Sequence, residues 1–183
     1  MRDPNEARRL EDRVFTVPNA LSLARLFMVP GVVALLLARA DGLAAALFVL
    51  AAVTDFLDGR LARRAAPTRL GRILDPLADR LMLSSVAVVL AVRGLLPAWA
   101  VAILVGRDLL TLVGTFVVGS KVRVNRVGKA ATAVLMGAIA LVVLRPGTAV
   151  GEIMFYAGFG LSIVAGLMYL GRVRRIFGGK EVR

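Results

Sequence analysis

Residues 55–63 read D-F-L-D-G-R-L-A-R and residues 71–79 read G-R-I-L-D-P-L-A-D, so Asp55, Asp58, Asp75 and Asp79 lie in or beside two strongly apolar segments. A carboxylate inside a membrane-spanning helix costs several kcal/mol unless it is paired, metal-bound or hydrated. Four together mark a functional site more readily than a structural accident, because a buried charge contributes little net stability by itself.

The sequence around this stretch fits a lipid environment. The chain has 183 residues, of which 58% are hydrophobic, and a mean hydropathy of +0.79. That composition is too apolar for an ordinary soluble domain and leaves room for about six membrane spans. The fold class is therefore an all-α integral membrane protein. The formal charge is +12, but the basic residues fall between apolar runs without aromatic interleaving, a pattern for anionic lipid headgroups and not for nucleic acid. With no cysteine and no histidine in the chain, disulfides, thiolate or imidazole metal sites and His-dependent nucleophilic catalysis are excluded. Any metal must be held by oxygen.

Residues 1–15 mix arginines with acidic residues and read as a juxtamembrane surface helix, an anchor or a lid, with disorder as the alternative. Six transmembrane helices follow over roughly 19–38, 42–60, 72–92, 97–119, 127–144 and 150–170, within a domain spanning 16–175, and 176–183 form a basic C-terminal tail. The first apolar stretch is too long for a signal-peptide core and is retained as a span. Pro30 is a candidate kink in it, and Arg25 either snorkels to the interface or reaches the active site. Basic residues crowd the N-terminus, the loop after the second span (Arg60, Arg63, Arg64, Arg69, Arg72), the loop after the fourth (Lys121, Arg123, Arg126, Lys129) and the tail, whereas Arg39, Arg93 and Arg145 stand alone in the other connections. The positive-inside rule then places both termini and the aspartate loop in the cytoplasm.

Helical rise joins the two halves of the aspartate stretch. Counting inward from Gly42, Asp55 and Asp58 lie about 20 and 24 Å along the second span; counting back from Arg72, Asp75 and Asp79 lie about 5 and 10 Å into the third. Asp58 thus comes level with Asp75, and Asp55 with Asp79, in a hydrocarbon core about 30 Å thick. Spacings of three and four keep each pair on one helix face. Four carboxylates so close require compensation, and an all-oxygen set suits two Mg²⁺ or Mn²⁺ ions. A two-metal site suggests phosphoryl chemistry on a pyrophosphate-containing substrate. Gly59, Ala62 and Gly71 leave room for a ligand close to the backbone, and Arg63 can fork onto phosphate oxygens.

These residues resemble the signature of the CDP-alcohol phosphotransferases, the integral membrane enzymes of phospholipid synthesis: D-x-x-D-G-x-x-A-R, seven or eight residues, then G-x-x-x-D-x-x-x-D. Every fixed position is matched, by Asp55, Asp58, Gly59, Ala62, Arg63, Gly71, Asp75 and Asp79. The resemblance implies a six-helix fold, commonly a homodimer, with divalent cations and a CDP-linked lipid in a cytoplasm-facing cavity of the cell (inner) membrane. It makes Asp55, Asp58, Asp75 and Asp79 metal ligands, Asp79 the general base, and Gly59, Ala62, Arg63 and Gly71 the lining of the CDP site. The acceptor hydroxyl then displaces CMP directly from CDP-diacylglycerol. Ser84 and Ser85 are read as helix-packing residues.

P-N-A-L-S-L-A-R near the start and N-R-V-G-K-A-A-T at 125–132 are similar to the subgroup that makes phosphatidylglycerophosphate and to the bacterial cardiolipin synthases; the segments at 93–110 are similar to the latter. The acceptor is accordingly phosphatidylglycerol or glycerol 3-phosphate, with inositol phosphate as an alternative. Arg107, Arg126 and Lys129 are the candidate acceptor-binding residues, while Lys121 and Arg123 serve topology and Asp108 pairs with Arg107 or with a neighbouring helix. A divalent-cation transporter is a distant alternative, disfavoured because the aspartates lie near one surface and no repeat is visible.

Overall fold

The computed structural model describes residues 17–61, 71–118 and 126–178, and side-chain surroundings over 20–54, 77–114 and 127–172. Six helices account for nearly all of them: α1 Val17–Leu37, α2 Asp41–Leu61, α3 Gly71–Val92, α4 Ala98–Val118, α5 Arg126–Leu144 and α6 Ala149–Gly178. They coincide with the six apolar segments of the sequence, and α6 continues past residue 175, where the sequence reading begins the tail. The N-terminal surface helix assigned to residues 1–15 lies outside the described residues. Three helices are long and apolar enough to cross a membrane, over Ala20–Leu37, Val127–Leu144 and Ala149–Arg172, and α2 carries a shorter apolar stretch, Asp41–Thr54.

The chain gathers into two compact units, Met1–Val89 and Leu90–Arg183. In the first unit α1 packs on α2. Val32 and Leu36 of α1 and Ala44, Ala45, Phe48 and Ala51 of α2 are all buried. Three of these are alanines, which let helix backbones approach closely in lipid. Pro30 sits inside α1 without interrupting it. The helix stops at a three-residue turn closed by two hydrogen bonds, Arg39 N–H to the Leu36 carbonyl at 3.1 Å and Ala40 N–H to the Leu35 carbonyl at 2.9 Å. This is a Schellman cap, in which a left-handed residue satisfies the last carbonyls of a helix; Arg39 holds that conformation with φ 57°. α3 buries Ala78, Met82 and Val86 at four-residue spacing, with Leu83 and Ala87 beside them.

In the second unit α6 is the central helix and contacts both α4 and α5. The α5 side buries Ala131, Leu135, Ala138, Ile139 and Val142. Gly158 makes that contact tight, since a Cβ there would lie 2.9 Å from Leu135 Cγ and 3.1 Å from the Leu135 backbone nitrogen. α4 and α6 run parallel, because contacts between them advance together along both helices. Trp99 meets Phe159 edge to face at 5.7 Å, then Arg107 lies over Gly166, then Tyr169 lies over Gly114. Leu109, Leu110, Val113, Leu167 and Leu170 are exposed. A row of bare leucines is the expected outer face of a bundle whose solvent is hydrocarbon.

Candidate active site

The signature falls on two consecutive helices. Asp55, Asp58 and Gly59 occupy the last turns of α2, and Gly71, Asp75 and Asp79 the first turns of α3. The register anticipated from spacing therefore holds along each backbone, three residues apart on one helix and four on the next. Ala62 and Arg63 lie outside the described residues, as do the side chains of Asp55, Asp58, Gly59, Gly71 and Asp75.

Asp79 is the motif aspartate whose side chain is described. Nη1 of Arg25, on α1, donates to Asp79 Oδ1, and the two form an ion pair. Arg25 has a side-chain exposure of 3% and Asp79 of 29%, so a nearly dry guanidinium holds a carboxylate that still reaches its surroundings. Both residues also take part in further interactions. Arg25 thus contacts the last aspartate of the motif. A sequence signal for it exists: Arg25 lies eight residues into α1 and Asp79 eight into α3, each about 12 Å along its helix. Matched distance from the start of two parallel helices puts the charges level.

Near the start of the motif, Thr54 donates its hydroxyl to the Ala51 carbonyl at 2.8 Å, which satisfies the side chain within α2. Ser84 and Ser85 border a recess of about 340 Å³ between α1 and α3, with Val33, Val88 and Val89.

The candidate acceptor residues belong to the second unit. Lys129, near the start of α5, is exposed. The neighbouring Gly128 is set against Ala165 of α6, a Cβ at 128 lying 3.8 Å from the Ala165 methyl. Arg107 crosses α6 at Gly166, so Lys129 and Arg107 come to one level through adjacent residues of α6. Nη1 of Arg107 donates to Asp108 Oδ1 at 2.7 Å, and Asp108 is buried. Asp108 thus pairs with its own neighbour. Thr111 reinforces this turn by donating to the carbonyls of Arg107 and Asp108 at 3.1 and 3.0 Å. The side chain of Arg126, and Lys121 and Arg123 altogether, lie outside the described residues.

The donor chemistry of the motif fits a hard divalent cation. Its four acidic residues stand one helical turn apart on each of two helices, in a chain with no cysteine and no histidine to offer a softer ligand. Among the described residues no group of three acidic side chains is assembled, since three of the four motif carboxylates fall outside them.

Comparison with known proteins gives the signature its context. A family profile, CDP-alcohol phosphatidyltransferase, matches residues 15–164. The chain belongs to the CDP-alcohol phosphatidyltransferase family. It is 40% identical over 190 residues to a protein of Streptomyces coelicolor named cardiolipin synthase (CMP-forming), covering 93% of this chain and 88% of that one. A Mycobacterium tuberculosis protein named putative cardiolipin synthase is 42% identical over 129 residues, which are 67% of this chain and 61% of the mycobacterial one. A Bacillus subtilis protein named CDP-diacylglycerol–glycerol-3-phosphate 3-phosphatidyltransferase is 33% identical over 141 residues, 65% of this chain and 72% of that protein. The stretch matched to the CDP-alcohol phosphatidyltransferase profile contains Arg25, all four motif aspartates, Arg107 and Lys129.

Proposed function

We propose that this CDP-alcohol phosphatidyltransferase moves the phosphatidyl group of CDP-diacylglycerol to the hydroxyl of a glycerol-phosphate-bearing acceptor and releases CMP. The acceptor is phosphatidylglycerol, giving cardiolipin, in preference to glycerol 3-phosphate, giving phosphatidylglycerophosphate. The observation that carries the reading is the Arg25–Asp79 pair, which holds the last motif aspartate in a fixed orientation within an apolar helix bundle. The Streptomyces relative's name and coverage favour the lipid acceptor.

In this reading Asp55, Asp58, Asp75 and Asp79 hold one or two Mg²⁺ or Mn²⁺ ions. When bound, such ions would offset charge on the pyrophosphate and on the departing CMP. Gly59, Ala62, Arg63 and Gly71 take the CDP moiety, the small residues admitting it close to the backbone and Arg63 reaching its phosphates. The Asp79 carboxylate receives the proton of the acceptor hydroxyl, while Arg25 fixes the orientation of that carboxylate. The acceptor oxygen forms a bond to the phosphorus on the lipid side of the pyrophosphate. The bond from that phosphorus to the bridging oxygen breaks, and CMP departs with the electron pair. Arg126 and Lys129 hold the acceptor's phosphate. Arg107, whose charge Asp108 already offsets, has a weaker claim on an anion. Six spans, cytoplasmic termini and a homodimer complete the proposal.

The test is CMP release by the purified protein supplied with CDP-diacylglycerol and Mg²⁺, with glycerol 3-phosphate, phosphatidylglycerol and inositol phosphate in separate reactions. CMP with phosphatidylglycerol alone is the expected result. CMP with glycerol 3-phosphate alone would reassign the acceptor, and none in any reaction would overturn the transferase reading.

A further inference from the structure

The recess of about 340 Å³ between α1 and α3 lies wholly within the first unit, walled by Val33, Ser84, Ser85, Val88 and Val89. On α3, Leu81, Ser84, Ser85 and Val88 recur every three or four residues and so share one face. Leu81 and Val88 are exposed there and the serines half-buried. Ser84 and Ser85 stand five and six residues beyond Asp79, which sets them about 140° and 120° round the helix from it in opposite senses. The face therefore turns away from Asp79.

The two hydroxyls decide what can seat on it. Thr54, Thr111 and Thr132 each donate to a carbonyl of their own helix, at 2.8, 3.1 and 3.0 Å. Ser84 and Ser85 make no hydrogen bond among the described residues, and being half-buried they stay open to a partner. Depth narrows what that partner is. Both lie about 20 Å along α3 from Gly71 and about 11 Å short of its end at Val92, inside a hydrocarbon core about 30 Å thick. Hydrocarbon supplies no acceptor at that level, but another helix does. Copies of one chain inserted in a membrane share one orientation, and a two-fold axis along the bilayer normal sets each residue at its own depth in the partner. A serine hydroxyl both donates and accepts, so the face is complementary to itself, and its small side chains let two backbones approach.

We infer that this α1–α3 face is the contact between two copies of the chain, joined across a two-fold axis by hydrogen bonds between the Ser84 and Ser85 hydroxyls of one copy and those of the other. Val33, Val88 and Val89 supply the apolar remainder of the contact. The inference rests on the homodimer proposed above and not on the transferase chemistry.

The chain has no cysteine, so single cysteines report the contact directly. In native membranes under a mild oxidant, Ser84→Cys or Ser85→Cys should give a disulfide-linked dimer, which needs Cβ atoms about 3.5–4.5 Å apart. Val49→Cys, exposed on α2 about 12 Å from its start at Asp41, is the control at similar depth and should give none above collisional background. In detergent micelles the full-length protein should sediment as a dimer. Replacing both serines by alanine keeps the helix and removes two interhelical hydrogen bonds per dimer, which at their usual strength within a membrane should raise the dissociation constant about 8-fold. A dimer that forms no crosslink at either serine, or whose dissociation the alanine pair leaves unchanged, would overturn the interface while the homodimer stood. A crosslink from either serine to a different protein would reassign the face and overturn it too. A monomer at every protein concentration would overturn both the interface and the homodimer.

Discussion

Breaking the Arg25–Asp79 pair from either side separates its chemical role from its structural one. Asp79→Asn preserves shape and a hydrogen-bond acceptor but abolishes the charge. Loss of a general base costs about 10²–10⁴-fold in rate, so turnover should fall by that factor while binding of CDP-diacylglycerol is largely retained. Arg25→Met leaves the carboxylate in place without the donor that orients it, and misplacement of a reacting group by about 1 Å costs up to about 10²-fold; its loss should be the smaller. The stability cost follows from burial. A buried ion that loses its sole partner costs about 3–5 kcal/mol, but both residues keep further interactions. Each substitution then removes one charge-assisted hydrogen bond from a larger set, worth about 1.5–3 kcal/mol. For a chain of this length that is a fall of about 3–12 °C in the unfolding midpoint, measured in detergent by the loss of the monodisperse species on heating. The double variant should lose less stability than the sum of the two single losses, because the bond between Arg25 and Asp79 is lost only once. Additive losses, to within about 0.5 kcal/mol, would refute the coupling, and an Asp79→Asn enzyme with full turnover would remove Asp79 as the base.

At the α5–α6 contact, Gly158→Ala sets a methyl against the Leu135 backbone and should cost about 1–3 kcal/mol, whereas Gly160→Ala, whose Cβ meets nothing within 4 Å, should be neutral or slightly stabilising; comparing their unfolding midpoints checks both. Lys129→Ala should raise the KM for the acceptor more than it weakens CDP-lipid binding, read by initial rates at varied acceptor and by a separate binding titration. Chelation of divalent cations should abolish CMP release, and added Mg²⁺ or Mn²⁺ should restore it.

The helices were legible because a bilayer demands apolar stretches of nearly fixed length, so hydropathy marks the elements within a few residues of their observed ends, except that α6 runs to Gly178 where the sequence reading ends the apolar stretch near residue 170. The motif was legible because carboxylates are rare among such residues. The partner of Asp79 was less so: Arg25 on its own looks like a snorkelling residue, and only the depth it shares with Asp79 links the two. The packing roles of the glycines outside the motif could not be read. Gly106 and Gly160 have open space where a Cβ would go, while Gly114 and Gly158 are pressed by Tyr169 and Leu135, and nothing in their sequence neighbourhoods separates these cases. The division at Val89 and Leu90 left no mark in composition either, since it falls inside the apolar run of α3.

The short turns after α1, α3 and α5, over residues 38–40, 93–97 and 145–148, bear on how the protein is made. Each contains a single arginine, Arg39, Arg93 or Arg145, and no acidic residue. Two are closed by their own backbone hydrogen bonds, with Gly94 N–H on the Ala91 carbonyl at 3.0 Å matching the bond from Arg39 to Leu36. For a ribosome feeding this chain into a bilayer, helices entering in pairs would carry across only a few residues and one cation at a time. If the positive-inside expectation holds, the long basic connections would stay on the side on which they were synthesised.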